Sequence, residues 1–149
     1  MKIRDASGWT MFIFGALAFL LGLIGLSRPE AMLSILGFDV LDRTIRAPGD
    51  YTIVFITASS MASFNVGIYY ILAALNDVKI FYRWTVPFRI LTFIVFTTLA
   101  LTQAAPMRFI AVGIWELAGA LATGIALYNE SASKPEAVKS ARSKKGGKK

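Results

Sequence analysis

The sequence predicts an all-α polytopic membrane protein, four spans packed as a left-handed four-helix bundle with a short interfacial helix between the first and second. Three observations predict it. Hydrophobic residues make up 56% of the 149 positions, and the mean hydropathy is +0.59, whereas soluble domains hold about 45–50% apolar residues even with glycine counted. The apolar residues gather into four runs instead of recurring at core spacing. Each run is long enough to cross a hydrocarbon core of about 30 Å as a helix. The spans fall at 8–26, 52–75, 84–104 and 107–127, within a membrane domain covering 1–130.

The first span follows a short polar lead holding Lys2 and Arg4. Its apolar run exceeds the roughly 7–15 residues of a signal-peptide core and meets Ser27-Arg28-Pro29, so it reads as a retained span. Ala18 and Gly22, four residues apart, give it a small face for close helix contact. Ser27 with Glu30 fits a capping box and Pro29 a first turn. Ala31 to Leu36 then predict a short surface helix ended by Gly37. It reads as a cover over the bundle mouth, with a gate over a binding cavity as the lesser reading. Asp39, Asp42, Arg43, Arg46 and Asp50 make the rest of this connection a polar loop.

In the second span Ser59, Ser63 and Gly67 recur every four residues on one stripe, a close-packing pattern. Ser60 and Asn65 add polar groups near mid-depth. The third span carries Pro87 and Arg89 in its expected opening turns, where a proline is tolerated and a long cationic stem can reach back to head groups. A tight turn, Gln103 to Pro106, leads into the fourth span. Short links make spans two, three and four a run of antiparallel neighbours. Residues 131–149, rich in Ser, Lys and Gly, read as a disordered basic tail.

Lys and Arg near the span ends number twelve on the side of the termini and four on the other, which predicts both termini in the cytoplasm. Trp9, Tyr82, Trp84 and Tyr128 would form an aromatic belt on the inner face, with Tyr51 marking the outer one. The tail holds seven basic residues against Glu136 alone. It suits anionic lipid head groups, at about 1 kcal/mol per basic residue near the surface. A tail that merely fixes topology is an equal reading. Nucleic-acid binding is not expected, since no aromatic residues interleave the charges. The sequon Asn129-Glu130-Ser131 would lie on the cytoplasmic side, unused.

Cys and His are absent, which excludes thiol redox chemistry, Cys- or His-based metal sites and Ser–His or Cys–His nucleophiles. No metal, cofactor or catalytic residue is predicted. The one conspicuous group is Glu116, near the middle of the fourth span. An unpaired charge at that depth costs from about 3 to well over 10 kcal/mol, depending on the scale. The simplest arrangement has protonated Glu116 hydrogen-bonded to Asn65, with Ser60 or Ser63 near by. Arg89 is a more distant partner, about 10 Å away along the axis. Gly113 and Ala120 share the Glu116 face. Trp115 points elsewhere, toward lipid or a neighbouring subunit.

Gly22-Leu23-Ile24-Gly25-Leu26, then Arg28-Pro29-Glu30, Leu36-Gly37 and Gly67 resemble the pattern of small four-span DoxX-like membrane proteins over about 125 residues. The resemblance implies a four-span fold and an accessory place in a membrane complex, with no catalytic residue to carry over. The expected role is therefore a non-enzymatic accessory, scaffold or assembly subunit, with a membrane-protein partner or self-association. One alternative is a small carrier for a proton, cation or lipophilic molecule using Glu116, as four spans with one buried acid suggest in the small multidrug-resistance transporters. Those proteins hold their Glu in the first span, where this chain has no acid. A further alternative is a membrane enzyme or isomerase acting on a lipophilic substrate.

Overall fold

The structure, a computed structural model, describes residues 3–146 and their side chains through Ser133. Five helices follow in order: α1 Ala6–Ser27, α2 Pro29–Leu36, α3 Thr52–Leu75, α4 Lys79–Leu101 and α5 Ile110–Gly146. Short 3-10 turns at Arg43–Ile45 and Met107–Phe109 complete the fold. Four stretches, Ala6–Ser27, Thr52–Leu75, Lys79–Leu101 and Met107–Ser133, are long and apolar enough to cross a membrane. The chain is an all-α, multi-pass membrane protein. Its large apolar side chains point outward on every span, for example Leu20, Phe55, Leu91 and Leu121, each more than half or close to half exposed. In water such patches would drive association; in lipid they are solvated.

Small residues decide how α1 and α3 meet. A side chain built at Gly67 would come within 2.5 Å of the Phe19 backbone nitrogen, and one at Gly22 within 2.5 Å of that of Phe64. Ser63 Oγ donates across the seam to the Ala18 carbonyl at 2.9 Å. Of the stripe expected from Ser59, Ser63 and Gly67, the last two meet the small face of Ala18 and Gly22 in the α1–α3 contact, while Ser59 is exposed and lies outside it. Packing without a hydrophobic drive depends on such close backbone approach.

The neighbour order differs from the expected run of antiparallel spans. α1 packs closely on α3, α4 on α5, and α1 bridges to α5; α3 and α4 barely touch. Thr10 and Thr123 link α1 to α5 through hydroxyls 3.0 Å apart, with Thr123 fully buried. A short loop fixes direction, but the small faces fix the partner, and that of α3 is turned to α1.

Several boundaries also differ. Helix α4 begins at Lys79 instead of residue 84, because Lys79, though charged, is anchored by carboxylates at the bundle end. Pro87 therefore lies inside the helix. That helix ends at Leu101, three residues before the expected end. Gln103 then turns the chain with φ of 61°, and the Ala105 N–H donates to the Leu99 carbonyl at 3.0 Å. The capping box at Ser27 is not formed. Arg28 is the N-cap residue, Ser27 Oγ donates back to Leu23 and Ile24, and Glu30 instead pairs with Arg43 at 2.6 Å. Ser27 is still the last residue of α1, so the N-cap position of α2 falls to Arg28. Gly37 does end α2, in the left-handed region at φ 86°. The backbone of α5 is helical to Gly146. The last three tail residues lie outside the described ones.

Candidate functional site

The site is built on Arg89. Starting α4 at Lys79 carries Arg89 ten residues, about 15 Å, into the bundle. Its side chain is 3% exposed, so it does not reach back to head groups as the sequence suggests. The guanidinium carbon lies over two rings, 4.0 Å from the Phe14 centroid and 4.9 Å from that of Tyr70. Cation–π contact of this kind stabilises a desolvated cation. Space for it comes from Gly119, where any side chain would collide with the Phe14 ring and with Arg89 Nη1. Arg89 Nε stands 3.5 Å from Glu116 Oε2. The four spans thus converge on one cation, α1 through Phe14, α3 through Tyr70, α4 through Arg89 itself and α5 through Glu116 and Gly119.

A guanidinium keeps its proton in proteins. Its charge therefore needs a counter-charge at this depth, and Glu116 is the acid beside it. The partner of Glu116 is therefore Arg89 and not Asn65. Asn65 lies two residues beyond Ser63, about 200° around the helix, so the face that packs on α1 carries it away. Among the described residues its side chain makes no hydrogen bond. Arg89 Nε and Nη1 are buried without a hydrogen-bond partner; the contact with Glu116 is an ion pair at longer range.

The other side of Glu116 faces a cavity of about 390 Å³. It fills the gap between α3 and α4 in the half of the bundle away from the termini. Its wall takes Ile56, Ser59, Ser60 and Ser63 from α3, and Thr92 and Phe96 from α4. Val112 and Glu116 come from α5, Leu21 from α1 and Phe109 from the last 3-10 turn. Met32, Ile35 and Leu36 of α2 close the end, so the interfacial helix covers a cavity and not bare helix ends. A groove of about 520 Å³ meets it at Leu36, Ile56, Ser59 and Phe109.

The hydroxyls on this wall are all engaged. Ser59 and Ser60 donate to the Ile56 carbonyl at 3.0 and 2.7 Å, Ser63 to Ala18 at 2.9 Å, and Thr92 to Phe88 at 3.0 Å. Of the five polar residues singled out from sequence, four converge: Arg89 and Glu116 as a pair, Ser60 and Ser63 with Glu116 on the cavity wall. Phe14, Tyr70 and Gly119 were not foreseen; the one available signal was Gly119, three residues after Glu116 and one helical turn away. Gly113 faces Phe93 and Thr97 of α4, and Ala120 is buried. Trp115 stacks on Phe14 at 4.5 Å while remaining 39% exposed.

A second polar cluster, unforeseen, ties the ends of α1, α4 and α5 together. Lys79 Nζ donates to Ser7 Oγ at 2.7 Å and Glu130 Oε2 at 2.8 Å, and it also pairs with Asp5. The Ser7 N–H and hydroxyl both donate to Glu130, at 2.8 and 2.9 Å. Burial pushes the Asp5 carboxyl up, but hydrogen bonds from Lys79 and the Gly8 N–H outweigh it and hold it below the ordinary carboxylate value. Tyr82, expected in an aromatic belt, is instead fully buried beneath this cluster and donates to the Ala73 carbonyl at 3.1 Å. Trp9, Trp84 and Tyr128 are more than half exposed.

Among the described residues no three acidic side chains converge as a metal site would require. Compared with protein-family models, curated proteins and solved structures, the chain gives no match.

Proposed function

We propose that the protein is a small integral membrane accessory subunit that holds a lipophilic molecule against Glu116 and performs no chemistry of its own. The observation that carries this reading is a carboxylate on the wall of an otherwise mainly apolar cavity within the membrane-spanning part of the bundle. Its volume of about 390 Å³ falls in the range of small-molecule sites, which are mostly apolar with a few placed polar groups. An ionisable residue at this depth is by default a functional-site candidate.

An enzymatic role has less support. Acid–base chemistry needs a second group that exchanges protons near neutral pH; Arg89 does not, and Asn65 lies elsewhere. A carrier role is the second reading, favoured by the adjoining groove, which gives the cavity a path toward the far end of the bundle. The excess of Lys and Arg beside the termini supports a cytoplasmic location for both. The basic tail supports contact with anionic head groups, and the outward apolar faces leave room for a membrane partner or a second copy. The Gly-rich first-span pattern supports kinship with DoxX-like proteins.

The test is native mass spectrometry of the protein released from mild detergent. A bound lipophile is expected on the wild type and lost from Val112→Phe, which fills the cavity. Equal occupancy in both would refute the reading.

A further inference from the structure

We propose that the cavity selects lipophiles with a neutral hydrogen-bond-donating head, an aliphatic alcohol or phenol, over isosteric ketones, ethers and charged analogues. The inference rests on the reading of the cavity as a ligand site and adds its chemical preference.

Each polar group on the wall presents an acceptor. A hydroxyl carries one proton and two lone pairs. Ser59, Ser60, Ser63 and Thr92 all spend that proton on a backbone carbonyl. Only their lone pairs remain for a ligand. Glu116 adds carboxyl oxygens with lone pairs to the same wall, beside Arg89. The donors of the site belong to Arg89, which stands behind Glu116, between Phe14 and Tyr70, and is not part of the wall. A ketone or ether head would set lone pairs against lone pairs and leave buried acceptors unmet, which a site pays for more heavily than it gains from a made bond.

Charge decides the rest. Arg89 already places one cation beside Glu116. An ammonium head would add an uncompensated cation in a low-dielectric site, and a carboxylate head would face Glu116 directly. A hydroxyl adds a donor and no charge.

The experiment offers purified protein in detergent an equimolar set: 1-decanol, 2-decanone, decyl methyl ether, decylamine and decanoate. Native mass spectrometry reads the occupancy of each. Decanol should exceed the ketone and the ether by about tenfold, the effect of one hydrogen bond of roughly 1.4 kcal/mol. Ser59→Ala removes one wall acceptor without touching the ion pair and should narrow that ratio. Glu116→Gln brings an amide donor to the wall and should raise ketone binding. Cavity-dependent binding, abolished by Val112→Phe but showing no preference for the alcohol, or favouring the amine, would overturn this inference alone. Binding unaffected by Val112→Phe would overturn the ligand site itself.

Discussion

Arg89 and Glu116, on neighbouring helices α4 and α5, stand 3.5 Å apart inside a bundle whose outer surface is apolar. The cation is almost completely enclosed, while a quarter of the Glu116 side chain remains exposed, toward the cavity it lines. The pair therefore has two faces. Arg89 joins the four spans, and Glu116 turns its carboxyl group toward a space large enough for a ligand. Neither residue is affordable alone at this depth.

Gly119 is the position that makes this arrangement possible. Gly119→Ala should destabilise the bundle by about 1–3 kcal/mol, as overpacked cores do, because the added carbon meets the Phe14 ring and Arg89 Nη1. Gly124→Ala, on the same helix, meets only Val86 Cγ1 at 3.7 Å. It should be neutral or gain up to about 1 kcal/mol of helix propensity. Thermal unfolding of the two variants in detergent checks the contrast.

The pairing of α1 with α3 predicts a crosslink. The chain has no cysteine, so introduced thiols report cleanly. Ala18→Cys with Ser63→Cys should join through a short thiol-reactive crosslinker, because α1 and α3 touch where Ser63 Oγ lies 2.9 Å from the Ala18 carbonyl. Ala18→Cys with Asn65→Cys should not, since Asn65 sits on the opposite side of α3. Gel mobility under non-reducing conditions, after cleavage in the Arg28–Asp50 connection, distinguishes the two.

Asp5 gives the fold an acid-sensitive end. Its carboxyl is held below the ordinary value of 3.8, so the folded state binds its proton less readily than the unfolded one. The resulting stability is present at and above the ordinary carboxylate range. It is lost as pH falls through the lower, folded value. Asp5→Asn should flatten this part of the acid limb and lower stability at neutral pH, where Lys79 loses one of its partners. Unfolding midpoints between pH 6 and pH 3 measure both effects.

Much of this was legible in the sequence, for reasons of length and period. Four apolar runs needed four helices, Gly37 had to stop α2, and Glu116 could not sit in a span without a partner or a task. The partner was harder to read. Choosing Asn65 over Arg89 depended on two quantities a linear pattern does not carry, the rotation of α3 and the start of α4. Ser63 and Gly67 fix the rotation by packing on α1, which takes Asn65 away. Lys79 moves the start, because its charge is met by Asp5 and Glu130 from distant parts of the chain, so the helix begins before its apolar stretch does. Five residues of helix, about 7.5 Å, bring Arg89 from the head groups to the level of Glu116. The cluster at Ser7 was invisible for the same reason: its members are 123 residues apart in sequence.

The most direct measurement is a double-mutant cycle on Arg89→Met and Glu116→Leu, read as unfolding free energy in detergent. Glu116→Leu alone should cost about 3–5 kcal/mol, because it strands a buried cation. Adding Arg89→Met should recover most of that loss, giving a coupling energy of at least about 2 kcal/mol. Additive losses, with coupling near zero, would contradict the account, for the two side chains would then not depend on one another.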